Sequence, residues 1–142
     1  ALVNVSGAAS TVTNGDYFMH FKSQGEFDFT SRVILKDDGA GNLIFGLREG
    51  GGDSQLTEAV YAYNTTYLVV MTYDFDNSKS ELHVLTSVPT TEPSTPTLEV
   101  NDDGTNRTIL DEFAIRGDSD NPTIAIDGIR VALDWDSLIG AN

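Results

Sequence analysis

The chain has 142 residues, no cysteine, and 22 acidic against 8 basic residues for a net charge of −14. That length fits one domain, residues 1–142, with a core of its own, and the missing thiols exclude a disulfide framework, thiolate metal sites and cysteine nucleophiles. The acidic balance, without runs of Lys or Arg, argues against nucleic acid as a partner, and no apolar run is long enough for membrane insertion.

Taken in chain order, the predicted elements are short and extended. Residues 1–5 open with strand-like residues, and residues 16–22 (DYFMHFK) alternate, with Tyr17, Met19 and Phe21 on one side and Phe18 and His20 on the other. Residues 27–36 (FDFTSRVILK), the turn sequence Asp37-Asp38-Gly39 and residues 42–48 (NLIFGLR) read as a hairpin. A Gly-rich loop, residues 49–53, leads to a short strand over 59–63, then to the longest strand signal, 65–75 (TTYLVVMTYDF), apolar on both faces and so central. The turn Asp76-Asn77-Ser78 feeds a strand over 81–88. Residues 88–97 (VPTTEPSTPT) have a linker's composition but read as an extended crossing inside one sandwich, since two separate domains of that size would each be marginal.

Strands over 109–116 and 123–133 follow, the latter with a one-residue bulge at Asp127-Gly128 that returns Ile124, Ile126, Ile129 and Val131 to one face. Only residues 136–139 suit a helical turn. The pattern predicts an all-β, antiparallel two-sheet sandwich with Val69, Met71, Leu82, Val84, Ile115, Ile126, Ile129 and Val131 in its core.

Three segments carry a resemblance. Tyr67-Leu68-Val69-Val70-Met71-Thr72-Tyr73-Asp74 with Glu81-Leu82-His83-Val84, then Phe113-Ala114-Ile115-Arg116-Gly117, then Ile126-Asp127-Gly128-Ile129-Arg130-Val131 resemble the later part of a laminin G-like domain of the concanavalin A-like class. Residues 15–21, 64–69, 92–97 and 127–132 with Trp135 are similar to a version of this domain in secreted surface proteins of Bacteroidota. The resemblance implies a jelly-roll sandwich and an extracellular, cell-surface location. It also places further strands before residues 1–5, supplied by the rest of a parent polypeptide or by a neighbouring chain.

Laminarinase-type glucanases of this class carry Glu-x-Asp-x-x-Glu, whose two Glu residues act as nucleophile and acid. Here Glu26-Phe27-Asp28-Phe29-Thr30-Ser31 has Ser31 at the second Glu, so no acid is present and the chain reads as non-catalytic. His20 and His83 lie mid-strand among apolar residues and read as half-buried sheet residues. The acidic turns offer oxygen ligands of the type calcium takes, with Asp74, Asp76 and Asn77 in one and Asp118 and Asp120 in another. Plain turn chemistry uses the same residues. For sugar stacking the candidates are Tyr61 and Tyr63 beside Asn64, and Trp135. The expected function is a non-catalytic carbohydrate-binding module taking a polysaccharide or other glycan, with a structural or adhesive domain making protein contacts as the alternative.

Overall fold

A computed structural model describes residues 1–22, 27, 29–102, 107–117 and 122–140. Two antiparallel five-stranded sheets form a β-sandwich. The strands are β1 (Leu2–Val5), β2 (Asp16–Lys22), β3 (Phe29–Asp37), β4 (Leu43–Arg48), β5 (Gln55–Leu56), β6 (Thr66–Asp74), β7 (Lys79–Leu85), β8 (Leu98–Asn101), β9 (Glu112–Ile115) and β10 (Ile124–Asp127), followed by the short helix α1 (Trp135–Ile139). Sheet A runs β10-β1-β6-β7-β8 and sheet B runs β5-β4-β3-β2-β9.

The inner faces are apolar because alternation places every second residue there. Val3 and Val5, Tyr67 and Val69, and Leu82 and Val84 of sheet A meet Met19, Val33, Leu35, Leu43, Phe45 and Leu47 of sheet B. The β3–β4 hairpin forms as the sequence predicts, with Leu35 opposite Phe45 and Arg32 opposite Arg48. Its turn is shaped by Asp38, whose carboxylate accepts the N–H groups of Ala40 and Asn42 and the side-chain amide of Asn42. In β3, Ser31 takes a left-handed φ of 50° and the β2–β3 register shifts between Met19 and Phe21.

Several expectations give way. Residues 59–63 form no strand beyond a single bridge from Tyr61 to Leu43. The crossing over 88–97 ends in β8, a strand its composition does not announce: Thr97 N–H reaches Leu82 O at 2.8 Å and guides Leu98 onto β7. The last strand stops at Asp127, where Gly128 turns left-handed at φ 60°, so the bulge at Asp127-Gly128 does not form. The reason lies in pairing. β10 is an edge strand whose ladder with β1 ends at the Leu2–Asp127 pair, and a strand with no partner has nothing to satisfy its backbone. Ile129 and Val131 are accordingly 48% and 70% exposed, and Ile115 at the end of edge strand β9 is exposed too, so these three leave the predicted core. Met71 and Ile126 sit half-buried at its margin.

The core assignment is checked by two truncations. Leu82→Ala is expected to cost about 2–5 kcal/mol in urea unfolding and Val131→Ala no more than about 0.5 kcal/mol. Equal losses at the two sites would contradict the described packing.

Candidate functional site

The outer face of sheet B gathers cations on a chain that is otherwise strongly acidic. Arg32 of β3 and Arg48 of β4 stand directly opposite each other across the hairpin. Their guanidinium carbons lie 5.6 and 5.9 Å from the centre of the Tyr17 ring, and that of Arg116 lies 4.6 Å from it. Like charges directly opposed in a sheet destabilise it, and a cation over an aromatic face regains only part of that. Burial and the neighbouring Arg48 both pull the Arg32 pKa down. Arg116 is anchored by Asp16, which accepts its hydrogen bond at 2.6 Å. The Nε atoms of Arg32 and Arg48 are buried and have no hydrogen-bond partner among the described residues.

Aromatic rings extend from this cluster. Tyr17 and His20 meet edge-on at 5.5 Å, Phe29 packs on both, and Phe27 stands edge-on to Phe29 at 6.1 Å. His20 is held neutral, its pKa lowered chiefly by burial. Phe27 is 92% exposed, so the row that begins at Tyr17 under the three guanidinium groups ends, beyond Phe29, in a bare ring.

The residues singled out for sugar stacking go elsewhere. Tyr61 is wedged edge-on between Phe45 and Tyr67, at 5.0 and 5.3 Å. The Tyr63 hydroxyl donates to Asp37 at 2.8 Å and accepts from the Ala9 N–H at 3.0 Å. Asn64 takes a left-handed φ of 58° and donates its N–H to Val5 O at 2.8 Å. Tyr61 and Tyr63 are half-buried against the margin of the core, and Asn64 is exposed beside them. Trp135 is buried, its indole edge-on to the His83 ring at 5.1 Å, and it belongs to α1, whereas the Tyr pair lies between β5 and β6.

The acidic turn is likewise occupied by its own backbone. Asp74 accepts the N–H groups of Asp76 and Asn77 and the Asn77 side-chain amide, which hold its carboxyl below the usual range. Calcium there would have to displace those bonds. Asp118 and Asp120 lie outside the described residues, as do Glu26 and Asp28.

A buried polar cluster without a local sequence signal ties the two sheets together. Glu49, 4% exposed, follows β4 and accepts from the hydroxyls of Thr30 and Ser80 and from the Ser31 N–H at 2.6 Å. Ser31 and Ser80 hydroxyls, one from each sheet, lie 2.6 Å apart. The Arg107 guanidinium is 3.8 Å from Glu49 and 2.6 Å from Asp102, and Asp102 also accepts from the Tyr73 hydroxyl. The left-handed Ser31 is what turns its N–H away from the ladder onto the carboxylate. Glu49 hides in a Gly-rich stretch that reads as a solvated loop, and its partners lie up to 58 residues away.

A second feature is an open margin of sheet A. β1 pairs with β6 only from Thr66 to Leu68, with Val69 bonded to Ala1 beyond. From Val70 to Asp74, β6 has no strand beside it on that side among the described residues. A cleft of about 850 Å³ adjoins this edge, lined by Met19, Phe21, Met71, Phe113, Ile129 and Val131 among others. Among the described residues no helix is long and apolar enough to cross a membrane.

No protein-family model, no curated protein and no solved structure matches the chain.

Burial pushes the Glu49 carboxyl up, against the opposing pull of its three hydrogen-bond donors and Arg107. A folded value above the unfolded one means the folded state keeps a proton that the unfolded chain has released. Stability from this group is therefore full below the ordinary carboxylate range and declines as pH rises through the folded value. Urea unfolding from about pH 4 to 7 is expected to show a downward contribution in the native chain that Glu49→Gln lacks. Parallel pH curves for the two proteins would contradict the assignment.

Proposed function

We propose that the chain is a non-catalytic carbohydrate-binding domain of a secreted or cell-surface protein, and that its glycan is an acidic polysaccharide held on the outer face of sheet B. The observation that carries this reading is the convergence of Arg32, Arg48 and Arg116 on Tyr17, whose ring is linked through Phe29 to the bare ring of Phe27. Guanidinium groups match carboxylate and sulfate geometry in a two-pronged way that a lysine does not, and an exposed ring offers the flat apolar surface a sugar stacks on. An anionic ligand also relieves the repulsion between the opposed arginines, so the cost already present in the free protein becomes affinity in the complex. The net charge of −14 does not forbid this. Screening at physiological salt confines distant repulsion to about 8 Å, whereas the arginines act at contact.

The resemblance to laminin G-like domains supports the same reading, and two antiparallel five-stranded sheets are compatible with a concanavalin A-like sandwich. In the sequence, Ser31 falls at the position where the resembling glucanase motif carries its second Glu, and its hydroxyl meets that of Ser80 at 2.6 Å, which supports binding without turnover.

The open edge of β6 favours a second reading, a domain that makes protein contacts. Met71 and Tyr73 direct their backbone groups to the side away from β7, since Val69 on the same phase bonds Ala1. An extended segment of the parent polypeptide or of a neighbouring protein would complete the ladder and fill the apolar cleft. A second copy is a poor occupant, because each carries the same −14 charge.

Titration with polygalacturonate, a sulfated galactan and a neutral β-glucan separates these readings. The native chain is expected to bind an acidic glycan, and Arg48→Ala to weaken that binding tenfold or more while changing stability by no more than about 0.5 kcal/mol. A carboxylate-only or sulfate-only response identifies the anionic group. Binding of the neutral glucan alone, or undiminished binding by Arg48→Ala, would overturn the proposal. If no glycan binds and a Lys-flanked peptide of alternating Val and Thr slows amide exchange at Met71 and Tyr73, the protein-contact reading replaces it.

A further inference from the structure

We propose that Glu81, His83 and Glu92 form a binding site for a divalent transition-metal ion, of which zinc is the type. Glu81 and His83 are two apart on β7 and so project from the same face of sheet A, the face turned away from the core. Glu92 reaches the same place from the extended crossing between β7 and β8, whose far end is fixed by the bond from Val84 N–H to the Thr97 hydroxyl at 2.9 Å. One ligand atom from each of the three residues lies within 4.8 Å of the other two.

What sets this cluster apart from the other carboxylate groups of an acidic chain is the histidine. His83 is 1% exposed, yet neither ring nitrogen has a hydrogen-bond partner among the described residues. Burying a polar ring without a partner costs free energy that proteins seldom leave uncompensated. Its Nε2 lies 3.9 Å from Glu81 Oε2, too far for a hydrogen bond and suited to sharing an ion. Lys79 engages the other oxygen of Glu81, Oε1, at 2.8 Å, which orients the carboxylate and leaves Oε2 for the metal. Burial keeps the imidazole neutral, in the form that donates its lone pair.

A zinc ion at about 2.0–2.2 Å from each donor needs donors about 3.3–3.5 Å apart. Glu92 is exposed and has the freedom to supply that contraction by a rotamer change. The donor set chooses the metal: one imidazole with two carboxylates suits zinc and its neighbours, whereas calcium and magnesium prefer oxygen alone. The site lies on the rim of the cleft at the β6 margin, with the Trp135 ring packed against His83. This inference is independent of the glycan site, which occupies the other sheet.

Trp135 is the sole tryptophan and its ring centre is 5.1 Å from that of His83, so it reports directly on metal bound there. The full chain, stripped with chelator, is titrated with Co²⁺ and Zn²⁺ while Trp135 fluorescence, visible absorbance and Tm are followed. One Co²⁺ per chain is expected to quench Trp135 and give the absorbance of a low-coordinate site, Zn²⁺ is expected to displace it, and Tm is expected to rise with Zn²⁺. Glu92→Gln, a change at an exposed residue, should leave the metal-free Tm unchanged and weaken Co²⁺ binding tenfold or more. His83→Gln should abolish the quenching. No saturable Co²⁺ binding, or binding by Glu92→Gln as tight as by the native chain, would overturn the proposal, as would a response to Ca²⁺ equal to that to Zn²⁺.

Discussion

The structure depends on one constraint, that each sheet must hide its apolar inner face against the other. Sheet A contributes Val3, Val69 and Leu82, and sheet B contributes Val33, Phe45 and Leu47, all essentially without solvent contact. Their outward neighbours are then fixed by the two-residue period of the strand, with no freedom to choose a face. Which side chains of each strand face outward follows from that period.

A hydrogen-bonded polar cluster interrupts the apolar interior. Glu49, Thr30, Ser31 and Ser80 exchange hydrogen bonds between the sheets, and Arg107 brings Asp102 and Tyr73 into the same cluster. Such a cluster adds little net stability over a well-packed apolar one, because desolvating the charges offsets their attraction. Its effect is directional. An apolar core tolerates sliding of one sheet over the other, whereas a carboxylate with three donors fits one offset only, and the left-handed Ser31 is the backbone distortion that this fit demands.

The two sheets use their outer faces differently. That of sheet B concentrates four of the aromatic and imidazole rings with three arginines, a local reversal of the chain's overall charge. That of sheet A is partly covered by the segment after β10, in which Trp135 seals His83 while Ile129 and Val131 remain open to solvent beside the unpaired stretch of β6. A sandwich therefore carries a charged platform on one side and an apolar margin with a buried imidazole on the other, and these two surfaces ask for different ligands.

Strand character, the β3–β4 hairpin and the buried positions Val69, Leu82 and Val84 were legible in the sequence, because alternation and Asp-Gly turn chemistry are local and act within a few residues. The opposition of Arg32 and Arg48 follows from the same hairpin register. What local pattern could not decide was which strands find partners. Residues 128–133 have strand composition and no ladder to join among the described residues, so Ile129 and Val131 fall outside the core. β8 has little strand signal and is made by the edge of β7. The aromatic candidates illustrate the same limit: Tyr61, Tyr63 and Trp135 carry the composition of a sugar platform, yet the two tyrosines are half-buried at the margin of the core and Trp135 is buried against His83, while Tyr17 and Phe27 take the outer face of sheet B. Arg116 reaches Tyr17 and Asp16 only because β9 pairs with β2 across about a hundred residues of chain. Residue type and period set what each strand can bury; long-range pairing, which depends on the whole chain at once, set which side chains came together.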